Sequence, residues 1–463
     1  MKNVYFIGIG GIGMSAIARY YKHIGLNVGG YDKTPSKLTK ALEEEGIQIH
    51  YTENTSYIPI NIENTLVIYT PAVPEDFSEL KYVREKGYSI IKRSKALGEI
   101  AKNQKCLAVA GTHGKTTTST LLAHIYTSTN VGCSAFLGGI SKNYHTNLIL
   151  SRNRILVAEA DEYDRSFLQL FPDTAVITST DADHLDIYGN VEELRKTFSE
   201  FASQIKSSGY LILKKNIEID LSNVKAKVYT YSYNLESDFY AQNIRLQQNG
   251  YFKFDLVIPN ELNLVGSEII NNTRLIKNIT VGAPGWINVE NAVAASAVSL
   301  LNGISVNQLK TSLESYLGVE RRLDIHFNSP ESAYIDDYAH HPKEISSAID
   351  SIKEIFPGRK ICGIFQPHLY TRTRDFATEF AESLSKLDEL ILLDIYPARE
   401  LPIEGVTSEL IFNQVKISDK QMMKKEDLLN YIKSKKFDIL VTFGAGDIDR
   451  FIGPITDIFK QKE

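Results

Sequence analysis

Cysteine is scarce in this chain, with three residues among 463, and Cys106, Cys133 and Cys362 lie far apart. An odd number of widely spaced cysteines provides neither a disulfide framework nor the short spacings of a zinc site. Long apolar runs are missing too, since no stretch approaches the roughly 18 residues of a membrane span. Glycines break the apolar N-terminal run, and no small-residue cleavage site follows, so we do not expect a signal peptide. We therefore expect a cytoplasmic protein without a membrane segment.

An excess of positive charge is also absent. Lysine and arginine total 51 against 56 acidic residues, which gives a formal net charge of −5. Proteins that bind nucleic acid need a basic stripe, so nucleic acid is not an expected partner. A chain of 463 residues is too long for one ordinary core, and we expect two to four domains.

Strand and helix patterns alternate along most of the sequence. An apolar strand at 2–9 precedes a helix pattern at 14–24, and a buried strand at 66–70 follows later. This βαβ rhythm predicts parallel, doubly wound sheets. Short alternating strands at 210–281 favour an antiparallel subsheet, and apolar spacing at 375–387 predicts one helix.

A phosphate-binding pattern stands between a strand-like run and a helix-like run. In such loops the backbone N–H groups and the helix N-terminus bind phosphate, Lys115 would reach the β- and γ-phosphates, and the Thr116 hydroxyl would hold Mg²⁺. The loop departs from the usual pattern because Val109 stands where the first glycine is expected. The sequence predicts ATP and Mg²⁺ as cofactors. The predicted ATP-binding residues of the loop are Gly111, Thr112, His113, Gly114, Lys115, Thr116 and Thr117.

A second glycine loop follows the first strand. Its G-x-G-x-x-G pattern, with an acidic residue about twenty positions later, is typical of a dinucleotide site for NAD or FAD. The geometry requires only a diphosphate at a helix N-terminus, so a nucleotide-sugar diphosphate fits equally well. The residues of this pattern are Gly8, Gly10, Gly11, Gly13 and Asp32.

Two acidic clusters follow buried strands in the central part of the chain. The first runs from Glu159 to Asp164, where a Mg²⁺ ligand is expected beside a phosphate loop. In the second, His184 stands among aspartates, which suits a second metal or a general base.

Two further motifs end strands in the C-terminal part. The run 336–342 combines two acids, two histidines and a tyrosine, which favours contact with substrate or nucleotide. The run 366–374 carries Arg372 and Arg374, and arginine at a strand end suits a carboxylate or phosphate.

Taken together, the motifs resemble those of the Mur ligase family in the same order along the whole chain. They are GIGGIGM (8–14), GTHGKTT (111–117), EADE (159–162), DHLDIYG (183–189), NVEN (288–291), RR (321–322), DDYAHHP (336–342), QPHLYTR (366–372) and GAGD (444–447). The resemblance implies an α/β fold of three domains. These are an N-terminal Rossmann-like domain for the UDP-sugar (1–104), a central P-loop ATPase-like domain (105–320), and a C-terminal Rossmann-like domain that contacts amino acid and ATP (321–463).

The resemblance also implies a reaction. ATP would activate the carboxylate of UDP-N-acetylmuramate as an acyl phosphate, and L-alanine would then displace phosphate. The products would be UDP-N-acetylmuramoyl-L-alanine, ADP and phosphate, in peptidoglycan precursor synthesis. A monomer or homodimer is expected, with these small molecules as partners.

Residue roles are carried over from the family's motifs. By resemblance, Thr116 and Glu159 hold one Mg²⁺, and His184 helps to hold a second. Lys115 neutralises the anionic transition states. The general base stays open between His184 and His340. The implied ATP contacts outside the loop are Asn288, Asn291, Arg322 and Asp336, and the implied alanine contacts are Tyr338, His340 and Arg372.

Three alternatives remain at this point. A recycling ligase of the same class would join a murein tripeptide, instead of alanine, to UDP-N-acetylmuramate. An NAD-dependent oxidoreductase would explain the first glycine loop but not the ATP loop or the acidic strand ends. A non-catalytic nucleotide sensor would not require the complete set of predicted metal ligands, lysine and arginines.

Overall fold

The structure, a computed structural model, describes residues 1–247, 250–398 and 400–462, and the side chains at 185 and 186 lie outside this description. The chain divides into two compact units. The first comprises Met1–Asn243, Phe254–Thr280 and Glu290–Leu317, and the second comprises Ile244–Lys253, Val281–Val289 and Gly318–Glu463.

The first unit begins with a five-stranded sheet in which all four pairs of neighbouring strands are parallel. The strand order is β3-β2-β1-β4-β5, so the order reverses beside β1. In doubly wound sheets, ligands bind at such a reversal, outside the carboxyl ends of the strands. The strands are β1 (Asn3–Ile7), β2 (Asn27–Tyr31), β3 (Gln48–His50), β4 (Thr65–Tyr69) and β5 (Ser89–Lys92); the helices are α1 (Ile12–His23), α2 (Lys37–Glu44), α3 (Ser78–Glu85) and α4 (Arg93–Ala101).

The central sheet has eleven strands in the order β15-β16-β14-β13-β12-β11-β10-β6-β9-β7-β8. Its strands are β6 (Lys105–Ala110), β7 (Ser134–Ser141), β8 (Thr146–Ile149), β9 (Ile155–Ala160), β10 (Thr174–Ile177), β11 (Tyr210–Lys214), β12 (Lys227–Ser232), β13 (Phe239–Leu246), β14 (Phe252–Ile258), β15 (Glu268–Ile270) and β16 (Thr273–Val281). Its helices are α5 (Lys115–Ser128), α6 (Leu185–Tyr188), α7 (Val191–Ser203), α8 (Trp286–Leu301) and α9 (Val306–Glu314).

The region 210–281 differs in part from the predicted antiparallel subsheet. β11 pairs with β12 in parallel, and β12 pairs with β13 in parallel, so these strands extend the central sheet. Antiparallel pairing is found between β15 and β16. Alternation of apolar and polar residues indicates that one face of a strand is buried, but it does not indicate whether the neighbouring strand is parallel or antiparallel. The prediction of antiparallel pairing therefore had no support from the pattern itself.

The second unit contains a six-stranded sheet in the order β17-β18-β22-β19-β20-β21. β17 and β18 are antiparallel, and the other pairs are parallel. Its strands are β17 (Asp324–Asn328), β18 (Ala333–Asp337), β19 (Ile361–Phe365), β20 (Glu389–Leu392), β21 (Lys420–Met422) and β22 (Ile439–Phe443). Its helices are α10 (Pro342–Ile355), α11 (Tyr370–Asp375), α12 (Ala377–Leu384), α13 (Glu409–Phe412), α14 (Lys425–Ser434) and α15 (Ile452–Lys462).

The helix predicted at 375–387 is wrong in its bounds. α11 ends at Asp375, and α12 begins after Phe376, whose backbone (φ −123°, ψ 22°) is not helical. The apolar spacing belongs to α12, which buries Phe380, Ala381 and Leu384. Spacing alone cannot report the break, because one non-helical residue leaves the apolar period almost unchanged.

Apolar cores fill both units. In the first unit one core cluster includes side chains from the five-stranded sheet and from the central sheet, such as Phe6, Phe136 and Ala158. All three cysteines are free and buried. Among the described residues, no helix is both long and apolar enough to cross a bilayer.

His124 is a buried histidine on α5. Its Nδ1 lies 2.9 Å from the Tyr144 hydroxyl, and its Nε2 lies 3.0 Å from the Ser315 hydroxyl. Burial lowers the pKa of His124 to about 4. An unfolded histidine protonates near pH 6.5, roughly, so the unfolded state binds more protons than the folded state between these two values.

We therefore expect the free energy of unfolding to decrease as the pH falls from about 6.5 to about 4, with roughly 2 to 3 kcal/mol of the loss due to His124. Urea unfolding at a series of pH values measures this slope. His124→Gln should flatten it, whereas His23→Gln, at an exposed position on α1, should not. An unchanged slope in His124→Gln would contradict the assignment.

Candidate active site

The phosphate loop of the central sheet joins β6 to α5. Gly111 (φ 131°) and Gly114 (φ 80°) both adopt the left-handed backbone region, where side chains are strained. Gly114 is the residue before α5, so the loop delivers the chain directly into a helix N-terminus. The backbone N–H groups of this first turn have no partner within the helix and are suited to bind phosphate.

Residues that follow the end of β10 form hydrogen bonds with the phosphate loop. The Ser179 hydroxyl accepts from the His113 backbone N–H at 2.7 Å and lies 2.8 Å from the Thr112 hydroxyl. The backbone N–H of Asp181 donates to the Thr112 hydroxyl at 3.1 Å. These contacts are possible because β10 is the parallel neighbour of β6, which places both carboxyl ends at one sheet edge.

Lys115 lies at the centre of this edge. Its Nζ donates to the Gly111 carbonyl at 2.6 Å and lies 2.8 Å from a carboxylate oxygen of Glu162. Burial opposes the charge on Lys115, but attraction to Glu162 and the neighbouring acids outweighs it and raises the pKa of Lys115 above its ordinary value. The neighbouring acids therefore favour the charged ammonium form of Lys115.

Thr116 and Glu159, which the sequence predicts as metal ligands, are neighbours. The Thr116 hydroxyl is 3.2 Å from one carboxylate oxygen of Glu159, and the Gly138 N–H donates to the other oxygen at 3.1 Å. A hydroxyl and a carboxylate are ligands of the kind that suit Mg²⁺, which keeps several waters and binds substrate phosphates. No cluster of three or more His, Cys, Asp or Glu metal ligands is found within the described part of the chain.

His184 lies close to the same lysine–acid pair. Its Nε2 is 3.7 Å from Glu162 Oε1 and 3.7 Å from Asp183 Oδ2. The Tyr163 ring packs edge-on against it, with the ring centroids 5.1 Å apart. The structure therefore brings together Lys115, Glu162 and His184, around the helix N-terminus.

Two asparagines of the predicted ATP site lie on α8. The Asn291 Oδ1 accepts from the Thr118 hydroxyl at 3.1 Å, so this residue lies against α5. The Asn288 amide donates to the Pro284 carbonyl at 2.6 Å and ties the start of α8 to the preceding turn.

The first glycine loop, for which a diphosphate is predicted, joins β1 to α1. Gly8 has a φ of 86°, and Gly11 precedes α1. The Gly10 N–H donates to Asp32 Oδ2 at 2.7 Å, and a Cβ at Gly10 would lie 2.6 Å from Thr39. Asp32 therefore fixes the loop backbone in this structure, and its predicted contact with a nucleoside stays a prediction.

Arg321, which precedes β17, forms an ion pair with the buried Asp336 of β18. The Arg321 Nε lies 2.9 Å from Asp336 Oδ2, and its Nη2 donates to the Gly444 carbonyl at 2.7 Å. Thr442 donates to the other oxygen of Asp336 at 2.7 Å. Burial raises the pKa of Asp336, while Arg321 opposes this change. Asp336 has no exposed surface, so the structure gives it a role in positioning Arg321.

Arg322 is more accessible than its neighbour. Its guanidinium lies over the Tyr338 ring, 5.2 Å from the centroid, and 3.7 Å from the Glu344 carboxylate. The stacked side chain is thus held at the carboxyl end of β18, where ATP contact is predicted.

The predicted amino-acid residues lie at the ends of β18 and β19, the two neighbours of β22. Tyr338 and His340 contact each other through their rings, 5.2 Å between centroids, and His340 Nδ1 lies 3.0 Å from the Tyr338 carbonyl. Arg372 is buried on α11, and the turn before it contains Leu369 with a φ of 72°.

Sequence reasoning missed several residues around these sites. Glu162 was part of an acidic cluster, but its pairing with Lys115 was not predicted. Arg321 was named in the RR motif but was given no role. Tyr396 and Glu400 were missed: Tyr396 stacks on His368 with 5.8 Å between ring centroids, and Glu400 accepts from the Thr371 N–H at 3.0 Å. No local sequence signal marked Glu400, because it lies 29 residues along the chain from Thr371.

A phosphate loop beside acidic strand ends, preceded by a doubly wound sheet with its own glycine loop, defines a multidomain nucleotide-dependent α/β enzyme. Three domain models cover this chain: "Mur ligase family, catalytic domain" at residues 3–105, "Mur ligase middle domain" at 109–299, and "Mur ligase, glutamate ligase domain" at 321–446. The chain belongs to the Mur ligase family, and the predicted three-part α/β fold is confirmed.

Similar proteins cover nearly the whole chain. The UDP-N-acetylmuramate–L-alanine ligase of Parabacteroides distasonis is 51% identical, over 98% of this chain and 96% of its own length. That of Cytophaga hutchinsonii is 45% identical, over 100% and 98%. The crystal structure of UDP-N-acetylmuramate–alanine ligase from Thermotoga maritima covers 100% of both chains, with a TM-score of 0.82 and 26% identity. A murein peptide ligase from Psychrobacter arcticus shares the fold, with a TM-score of 0.70, 22% identity and 99% coverage of both chains.

Proposed function

We propose that this protein is an ATP-dependent ligase that joins L-alanine to the carboxylate of UDP-N-acetylmuramate. The proposal is supported by the relatives of that name at 45–51% identity across the chain. The observation that carries it in the structure is the charged Lys115 at a helix N-terminus, beside the Thr116–Glu159 pair. The oxidoreductase and sensor alternatives explain neither feature, and the relatives favour alanine over the murein tripeptide.

The chemistry needs activation, because a carboxylate is a poor acyl donor. One carboxylate oxygen attacks the γ-phosphorus, the bond to the β–γ bridging oxygen breaks, and ADP leaves. The alanine amine then attacks the acyl carbon, and phosphate leaves with that carboxylate oxygen. The amine gives its proton to a base, for which His184 and His340 are the two candidates.

Lys115 stabilises the charge that develops on the transferred phosphoryl group. Thr116 and Glu159 would hold Mg²⁺, which supplies charge neutralisation between the phosphates, and His184 would help to hold a second ion. Asn288, Asn291, Arg322 and Asp336 belong to the proposed ATP site, with Asp336 acting through Arg321.

The first glycine loop receives the diphosphate of the UDP-sugar in this account. Three domains at 1–104, 105–320 and 321–463 would then present UDP-sugar, ATP and amino acid. The three buried free cysteines support a reducing, cytoplasmic compartment. The predicted oligomeric state, monomer or homodimer, stays a prediction.

An isotope-transfer experiment tests the proposed chemistry. The substrate is UDP-N-acetylmuramate with ¹⁸O in its carboxylate, supplied with ATP, Mg²⁺ and L-alanine. The acyl-phosphate route predicts one ¹⁸O atom in each released phosphate, detected by mass spectrometry. Phosphate without label would show that water, and not the carboxylate, attacks ATP, and would overturn the proposal.

Arg372→Ala is expected to raise the KM for alanine by at least about tenfold, because a charge-assisted bond to the alanine carboxylate is lost. The KM for ATP should change little. Arg374→Ala is the matched control, since Arg374 lies on the same helix, is 53% exposed and pairs with its neighbour Asp375. An effect of Arg372→Ala on ATP alone would contradict the role.

A further inference from the structure

Arg93, the first residue of α4, lies against the first glycine loop. A Cβ at Gly13 would lie 2.9 Å from Arg93 Nη1 and 3.3 Å from its Cδ. The absence of a side chain at Gly13 therefore lets the guanidinium approach the first turn of α1. This turn follows the glycines that would bind the diphosphate.

An acidic residue from the central sheet holds the other side of this guanidinium. Nη2 of Arg93 donates to Asp161 Oδ2 at 2.8 Å, and the Arg93 side chain is only 16% exposed. Asp161 directly follows β9, two positions after Glu159. Arg93 thus touches both the glycine loop and the acidic cluster beside the phosphate loop.

This contact matters because the residues of the glycine loop carry no positive charge of their own. Residues 8–13 are glycines and isoleucines only, so the loop offers dipoles but no charged side chain. The diphosphate of a nucleotide sugar is a dianion, and a planar guanidinium can bind phosphate oxygens through two N–H groups. Asp161 occupies Nη2, while Nη1 faces Gly13.

We propose that Arg93 binds the diphosphate of the UDP-sugar substrate, with Asp161 as the residue that positions its guanidinium. This inference rests on the proposed function. Arg93 supplies the positive charge that the residues of the glycine loop do not carry. Its ion pair with Asp161 links the UDP-sugar site to the acidic cluster of the ATP site.

The adjacent residue provides a matched control. Lys92 pairs with Asp164 at 2.7 Å, on the same acidic segment as Asp161, but Lys92 is 45% exposed. A surface pair of this kind contributes little to stability. Lys92→Gln therefore removes one positive charge from the neighbouring position without touching the glycine loop.

The test measures binding of UDP-N-acetylmuramate to the whole protein by calorimetry, together with the KM values for all three substrates. Arg93→Met keeps the apolar stem and removes the charge, and we expect it to weaken UDP-N-acetylmuramate binding about 10- to 100-fold. Arg93→Lys should recover part of the loss. Asp161→Asn should weaken binding by about three- to tenfold, and Lys92→Gln by less than about twofold.

The KM values separate binding from a structural role. In Arg93→Met the KM for UDP-N-acetylmuramate should rise, while the KM for ATP and the melting temperature stay close to those of the wild type. Wild-type affinity in Arg93→Met, no recovery in Arg93→Lys, or equal losses for ATP and UDP-N-acetylmuramate would each overturn the inference. If the wild-type protein itself fails to bind UDP-N-acetylmuramate, the proposed function fails instead.

Discussion

Lys115→Met should reduce ATP-dependent phosphate release by at least about 10³-fold while leaving UDP-N-acetylmuramate binding nearly intact. The ammonium group is the fixed cation of the phosphate loop, and loss of such transition-state stabilisation lowers kcat steeply. The UDP-sugar is assigned to the separate glycine loop after β1, which Lys115 does not touch in the structure. Phosphate release under saturating substrates and calorimetric binding of UDP-N-acetylmuramate measure the two effects.

A second variant separates loss of chemistry from loss of folding. Glu162 is 1% exposed and loses its lysine partner in Lys115→Met, which is costly for a buried carboxylate. Lys115→Met/Glu162→Gln removes both charges and should recover stability without recovering phosphate release. Near-normal turnover in either variant would contradict the assignment of Lys115.

Arg321→Met should lower the free energy of unfolding of the second unit by about 3–5 kcal/mol. The substitution leaves Asp336 buried without its cation, and breaking a buried pair by removing one partner is costly. The bond from Arg321 to the Gly444 carbonyl is lost as well. Urea unfolding, followed by circular dichroism, measures the change.

The adjacent arginine provides the contrast. Arg322 is 28% exposed and lies 3.7 Å from Glu344, so Arg322→Met should cost no more than about 1 kcal/mol of stability. Its proposed contact with ATP predicts a raised KM for ATP instead. Arg321→Met/Asp336→Asn should recover most of the stability. A loss below about 1 kcal/mol in Arg321→Met would show that the buried pair is not important for folding.

The sequence predicted the elements that carry the sites, because their local signals are strong. Glycine loops between a strand and a helix specify their own turns, and Gly8, Gly111 and Gly114 do adopt the left-handed backbone that such turns need. Acidic runs after β9 and β10 lie beside the phosphate loop because both strands are parallel neighbours of β6.

Long-range pairing was not predictable from the same motifs. The cluster from Glu159 to Asp164 offers four acids, and local spacing does not say that Glu162 would reach Lys115. Arg93 and Asp161 are far apart in the sequence, and their contact depends on how two sheets pack within the first unit. Asp336 was predicted as an ATP contact, and its burial against Arg321 could not be seen in a run of polar residues.

The measurement that tests the central claim most directly is phosphate release from ATP and Mg²⁺ with UDP-N-acetylmuramate and L-alanine, omitting one substrate at a time. The account predicts release only when all three substrates are present, together with a product heavier than UDP-N-acetylmuramate by one alanyl residue. Release that needs the murein tripeptide instead of alanine, or no release with either, would contradict it.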